Sequence, residues 1–563
     1  MKKSLAASIV FHRHRLRSIT RWALVAFLAT AAPAFAQTTV WTDGTGNWFN
    51  PANWSVGVPD ANTTAEINNG GTAQIMSSGA AASEVELGVG VQDTGTLSTS
   101  GSGNLQDGGS LYVGRSGTGS ISITTGGVVS SIRFVIGENS GSNGTATVSG
   151  SGSMWMNVAV CFVGYDGNGT LNITSGGQVS NSNNTSIGEN MGTGAVTVDG
   201  MGSTWSEDAG IDIGGVGAGT LTISNGGHVS SFGSTIGRNP GSNGLVNVSG
   251  AGSSWTNNGF LALSGDGGDG SLHIMSGGAV SNGSCVLGTF SGSATATVDG
   301  VGSSWTIDGD LSVGDVFGGV GTVTISQSGQ VTSANGFIAD GSSSTGTVQL
   351  DGAGSTWTNS GNVYVGGNAS GAVGTGELHL TNGGTASAAA VTVWSTGTIL
   401  GDGFVQTTNG VTNQGTLSPD QTISITGNLA FSSTATMLST VTPSTADSVM
   451  VQGGAALNGH LGVTLTGGPF IAGTQYTLLQ ANGGLNGTTF SSVSISSPPG
   501  VNAQVTYDMN HVYLVIKGSG TPTPTPTSTP SGTPTPTPRP TPTPRSMPSP
   551  RARPTPPPRP GAA

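Results

Sequence analysis

The sequence predicts an all-β chain, a parallel β-helix (solenoid) made of double-coil repeats of about 50 residues. Three observations predict it. A tryptophan phrase returns at nearly constant spacing: "TVSGSGSMW" ends at Trp155, "TVDGMGSTW" at Trp205, "NVSGAGSSW" at Trp255, "TVDGVGSSW" at Trp305 and "QLDGAGSTW" at Trp357. A second phrase fills the other half of each unit, as "GTLNITSGGQVS" from Gly169, "GTLTISNGGHVS" from Gly219 and "GSLHIMSGGAVS" from Gly270. A third landmark, an apolar residue followed by glycine, cuts the unit nearly in two at Gly114, Gly137, Gly164, Gly188, Gly214 and Gly237.

Within these phrases apolar residues alternate with polar ones, as in Leu171-Asn172-Ile173 and Ile211-Asp212-Ile213. Period-two alternation marks a strand with one buried face. A three-residue strand buries too little to stand alone, but stacked on its neighbours it joins a continuous core and hydrogen-bond ladder. The landmark intervals, alternating between about 23–24 and 26–27 residues, then correspond to one coil each. Twelve to sixteen coils rising about 4.8 Å each would form a rod of roughly 60–75 Å. The usual crossover preference makes it right-handed. The half-unit symmetry and very short strands disfavour a propeller with one blade per repeat.

Residues 1–36 read as a secretory signal. Lys2, Lys3 and four arginines precede the apolar run "WALVAFLATAAPAFA", which ends in the small-x-small pattern Ala34-Phe35-Ala36. Residues 37–80 form an N-terminal cap over the first coil's open strand edge, 81–390 the repeat β-helix, and 391–517 a C-terminal β-helical segment ending in the strand "HVYLVIK". Residues 518–563, rich in Pro, Thr and Arg, have proline at every second or third position. They read as an extended or disordered tail, either a spacer or an attachment segment to the envelope.

Composition narrows the function. The chain has 98 glycines and only 7% charged residues. All 27 acidic residues lie between Gln37 and Ile516, opposed there by Arg115, Arg133 and Arg238 alone. Such a body suits neither nucleic acid nor an anionic membrane surface, and no transmembrane span is expected in the mature chain. Cys161 and Cys285 each precede a landmark glycine by three residues at an inward position. Five coils apart, about 24 Å, they are too far for a disulfide, so two buried free thiols are expected.

No constellation of catalytic residues stands out, and neither a catalytic residue nor a cofactor is assigned. His273 and His379 fall on outward strand positions of different coils. "GDGGDG" (Gly265 to Gly270) opens no helix, so it carries no dinucleotide site. Asp266 and Asp269, with Asp166, are the calcium candidates, although a glycine-aspartate calcium repeat needs tandem copies. Tyr112, Phe162 and Tyr364 occupy outward middle positions, spaced two coil pairs or more apart, and are the exposed aromatics a glycan would use. The repeat tryptophans Trp155, Trp205, Trp255, Trp305 and Trp357 read as structural. Spacing leaves open whether they face the core or an outer ridge, and their invariance among changing neighbours favours the core.

The pair of phrases, from Gly95 to Ser387, resembles the glycine-rich repeat of autotransporter (type V secretion) passengers and of some PEP-CTERM proteins. "WTDGTGNWFNPANW" (Trp41 to Trp54) and "GTLSPDQTISITGNLAF" (Gly415 to Phe431) resemble the two ends of such passengers. The resemblance implies a secreted or cell-surface, non-catalytic, adhesin-like rod with an extracellular ligand, a glycan or the cell envelope. The alternative is a carbohydrate-binding or carbohydrate-degrading β-helix. The 46 residues after Lys517 are too few for an autotransporter barrel and lack a PEP-CTERM anchor, so a route beyond the inner membrane is not expected from either family's device.

Overall fold

The computed structural model describes residues 37–517; the signal and the Pro-rich tail fall outside the described residues. The chain winds as a parallel β-solenoid of three strand ladders. One coil runs through a seven-residue strand (Asn243–Ser249), a glycine turn, a four-residue strand (Ser254–Asn257), a corner and a three-residue strand (Leu261–Leu263). It then turns again into the next long strand, Asp269–Met275. We call these ladders the long-strand sheet, the tryptophan sheet and the third sheet. The long strands exceed the expected three residues because the flanking Thr, Gly and Ser positions continue the ladder, as in Asn168–Thr174.

Alternation sets which side chains face inward. In the long-strand sheet Leu221, Val246 and Leu272 lie in register, as do Ile223, Val248 and Ile274, and all are fully buried. In the tryptophan sheet Val229, Trp255, Val280, Trp305, Val331 and Trp357 succeed one another on adjacent rungs. Large and small side chains therefore alternate at about 4.8 Å, which lets the indoles fill the space a uniform column would overfill or leave void.

The third sheet alone contains 18 strands, a rod of roughly 80 Å at that spacing. This exceeds the twelve to sixteen coils expected, for two reasons. Gln37–Val40 already pairs with Thr63–Glu66, so the solenoid starts at the first described residue. Beyond the phrases the coils also shorten: Val391 pairs with Val411, and Val411 with Leu429, steps of 20 and 18 residues. At the opposite end the parallel pattern stops. Gln475–Ala481 pairs antiparallel with His511–Lys517, which pairs antiparallel with Asn502–Tyr507. At the N-terminal end Trp54 sits edge-on to both Trp41 and Trp48, at 4.9 and 4.8 Å, and donates its indole N–H to the Trp48 carbonyl at 2.8 Å.

The landmark glycine makes the corner between the third sheet and the long-strand sheet. Gly188 has φ +72°, and a Cβ there would lie 2.1 Å from the Ala218 carbonyl oxygen. Ser264 (φ +66°) and Ala339 (φ +63°) hold the same corner with a side chain in the left-handed region. That conformation costs a non-glycine residue about 1–2 kcal/mol, and glycine gives back about 0.5–1 through unfolded-chain entropy. Ala339→Gly is therefore expected to stabilise by about 0.5–1 kcal/mol, and Gly188→Ala to destabilise by about 2 kcal/mol or more, in urea unfolding followed by tryptophan fluorescence. A loss of stability in Ala339→Gly would contradict this account of the corner.

Candidate ligand-binding face

The tryptophan phrase turns out to be bracing throughout. Ser253 donates its hydroxyl to the Ser249 carbonyl at 2.7 Å and accepts the Gly226 N–H of the preceding coil at 3.0 Å. Ser153, Ser203 and Ser303 repeat both bonds. Asp199, Asp299 and Asp351 reach the next coil's turn instead, accepting from Ser224, Ser326 and Thr381. Each repeat tryptophan is fully buried, and each indole N–H donates to an inward polar side chain. Trp155, Trp255 and Trp357 reach Ser131, Ser231 and Ser333 at 3.0–3.2 Å, while Trp305 reaches Asn282 and Trp205 reaches Glu207, both at 2.7 Å. Ser253→Ala would strand the buried Gly226 N–H, and a loss of about 1–3 kcal/mol is expected in the same urea assay.

Ligand chemistry has to come from the outer surface, and the three faces differ. The long-strand sheet presents mostly hydroxyls and amides, as in Thr170-Asn172-Thr174 and Thr322-Thr324-Ser326. The tryptophan sheet presents Ser, Thr and Gln at the same kind of position. The third sheet is where charge and rings collect. Arg115 pairs with Glu86 and lies 3.3 Å from Glu138, with its guanidinium 4.8 Å above the Tyr112 ring. Arg238 pairs with Asp212 and lies 3.4 Å from Glu189. Arg133, the last arginine among the described residues, donates to Ser110 at 2.8 Å and to the Tyr112 hydroxyl at 3.0 Å.

Burial raises the pKa of Glu66, Glu84, Glu138 and Asp212, against the pull of the arginines. Farther along the rod Ser312 donates to Asp340 at 2.6 Å; burial, then the charge of Asp315, pushes Asp340 up. Phe162 meets Tyr165 edge-on at 4.9 Å, while Phe337 and Tyr364 stack on adjacent rungs at 5.4 Å and 12°.

This layout corrects the expectation for the outward aromatics. Tyr112 is 6% exposed, because Arg115 from the corner of its own coil and Arg133 from the next coil fold over its ring. It also lies only two rungs from Phe162, with Val135 between them. Phe162 and Tyr364 remain partly exposed. Asp266 and Asp269 are both exposed on one corner loop, where Asp269 accepts the Ser293 N–H at 3.3 Å. Asp166 lies on a different corner, and the described residues contain no group of three metal-ligating side chains. His273 and His379 are half-buried, facing outward. Cys161 and Cys285 are buried and unpaired, five rungs apart on the third sheet. Among the described residues no helix is long and apolar enough to cross a membrane.

The charged face was missed in the sequence although a positional signal for it exists. Arg115, Glu138, Tyr165, Glu189, Arg238, Asp315 and Asp340 each directly follow the left-handed corner residue. That corner turns the next side chain back over the third sheet.

No family model matches the chain, and no curated protein matches it in sequence. Among solved structures it is similar to the crystal structure of a TibC-catalyzed hyper-glycosylated TibA55-350 fragment. The two share 16% identity at a TM-score of 0.33, over 67% of this chain and 96% of that one. At that level of likeness the functional reading rests on the chain's own residues.

Proposed function

We propose that this chain is a secreted or cell-surface, non-catalytic, adhesin-like β-helical rod, and that it meets its extracellular ligand along the outer face of the third sheet. The observation carrying this is the segregation of chemistry. On a surface otherwise dominated by hydroxyls and amides, the three body arginines, the carboxylate partners of Arg115 and Arg238, and five rings share one face. The signal-like residues 1–36 support export, and the tail at 518–563 supplies a spacer or an attachment segment.

Fractionation and adherence test this reading. The mature chain is expected in the medium or on the cell surface, and purified protein is expected to coat target cells or envelope polysaccharide. Arg238→Gln together with Arg115→Gln should reduce that coating at least tenfold, whereas Thr222→Gln on the long-strand face should not. Retention in the periplasm, or coating indifferent to both arginines, would overturn it.

A further inference from the structure

Between the Arg115 cluster and the Phe162–Tyr165 pair the third sheet opens into a cavity of about 210 Å³, lined by Arg133, Val135, Glu138, Phe162 and Tyr165. Its chemistry is unlike that of the other clefts. The cleft near Ser387 and Gln406 is walled by amides, hydroxyls and alanine, and the one near Tyr507 lies in the terminal antiparallel region. Here a guanidinium, a carboxyl and two aromatic rings converge.

Each group has capacity to spare. Arg133 is the one arginine among the described residues without a carboxylate partner. Ser110 and Tyr112 hold it through Nε and Nη2, which fixes the guanidinium and leaves Nη1 free to donate. Glu138 Oε2 is buried 3.3 Å from Arg115 Nε, which holds the carboxylate in place and leaves Oε1, which has no protein donor, to accept on the cavity side. Phe162 and Tyr165, edge-on to each other, form an apolar corner beside these polar groups.

We infer that this cavity binds one uncharged pyranose unit of an extracellular glycan, an inference that rests on the third-sheet face being the ligand face. Its volume falls below the roughly 300–1,000 Å³ typical of drug-sized ligands, which suits a single ring. A sugar presents a C–H face for an aromatic ring and hydroxyls that both donate and accept. Those hydroxyls match Glu138 Oε1 and Arg133 Nη1. Charge selects the neutral form. A uronate would meet Glu138 with Glu84 and Glu86 behind it, and an amino sugar would meet Arg133.

Saturation-transfer NMR on the full secreted chain, using methyl hexopyranosides, methyl uronates and methyl amino-sugars, tests the inference. The neutral hexosides are expected to receive saturation at ring C–H protons. Phe162→Ala and Arg133→Gln should each weaken the fitted affinity at least tenfold without moving the urea midpoint. Absence of transfer to any neutral hexoside, transfer unchanged in Phe162→Ala, or tighter binding of the uronate or amino sugar would each overturn it. The adherence assay separates the two readings. If Arg238→Gln with Arg115→Gln abolishes coating while no hexoside binds wild-type protein, the ligand face stands and the pyranose pocket fails. If coating ignores those arginines, the face itself fails.

Discussion

Trp255→Ala is expected to destabilise the rod by about 3–5 kcal/mol, the range for deleting a fully buried tryptophan, with a correspondingly lower urea midpoint. The indole is fully buried and stands between Val229 and Val280 on the rungs below and above. Neither valine can extend into the space it leaves, because each is tied to its own rung by backbone hydrogen bonds. Ser231 would also lose the donor that reaches it at 3.0 Å. Trp255→Phe removes the N–H together with three of the nine ring atoms, so a loss of about 2–3 kcal/mol is expected, from the bond and from the smaller cavity together. In a solenoid each coil contacts only its neighbours. Hydrogen exchange should therefore show lowered protection concentrated on the coils around Asn243–Asn257, with remote coils less affected. An unchanged urea midpoint in Trp255→Ala would contradict the bracing role.

The parts of this architecture that were legible in the sequence are those that repeat within one coil. Leu221-Thr222-Ile223 shows its buried face through two residues, and a corner glycine such as Gly188 through one. Burial that depends on a neighbouring coil was not legible. Tyr112 has the same outward position as Phe162, yet it is covered because Arg133 on the next coil closes over its ring beside Arg115 from its own corner. The coils near Val391, Val411 and Leu429 escaped the count for a related reason. They lose both phrases and most landmark glycines, and their corners are satisfied locally, as where Asn413 Oδ1 accepts the Gly415 N–H at 3.1 Å. The inward polar ladder that holds the indoles had a faint signal, the polar residue two places after tryptophan in Trp205-Ser206-Glu207 and Trp255-Thr256-Asn257. Its meaning depends on the next coil as well, since Ser131 and Ser231 come from valine coils.

That same ladder makes the rod more stable in mild acid than at neutral pH. Asp107 and Glu207 occupy inward positions of the tryptophan sheet, where burial raises both pKa values: Asp107 to about 7, and Glu207 well above the usual carboxylate range. Asp107 Oδ1 accepts one N–H, from Gly109 at 3.2 Å, and its Oδ2 is buried with no partner. Glu207 accepts from Trp205 at 2.7 Å, Thr185 at 2.8 Å and Asn181 at 3.2 Å, bonds that only partly offset desolvation. The folded state thus holds protons that the unfolded chain releases near pH 4. Between pH 4 and 7 the native state binds more protons than the unfolded one, so stability falls as pH rises. For Asp107 the contribution is complete below about pH 4 and gone above about pH 7. A rise from 3.8 to about 7 corresponds to a span of about 4 kcal/mol at 1.36 kcal/mol per unit. The urea midpoint is accordingly expected to be higher at pH 5 than at pH 8. Asp107→Asn should flatten part of that difference and raise stability at pH 8, because a neutral amide no longer has to ionise inside the core. Glu207→Gln should act in the same direction while keeping acceptors for the Trp205 indole and the Thr185 hydroxyl. The shared surface charge of the acidic body responds equally in all three proteins, so the change in slope isolates the buried groups. A wild-type midpoint that rises from pH 5 to pH 8, or an Asp107→Asn profile parallel to wild type, would show that the Asp107 carboxyl is ionised in the folded rod.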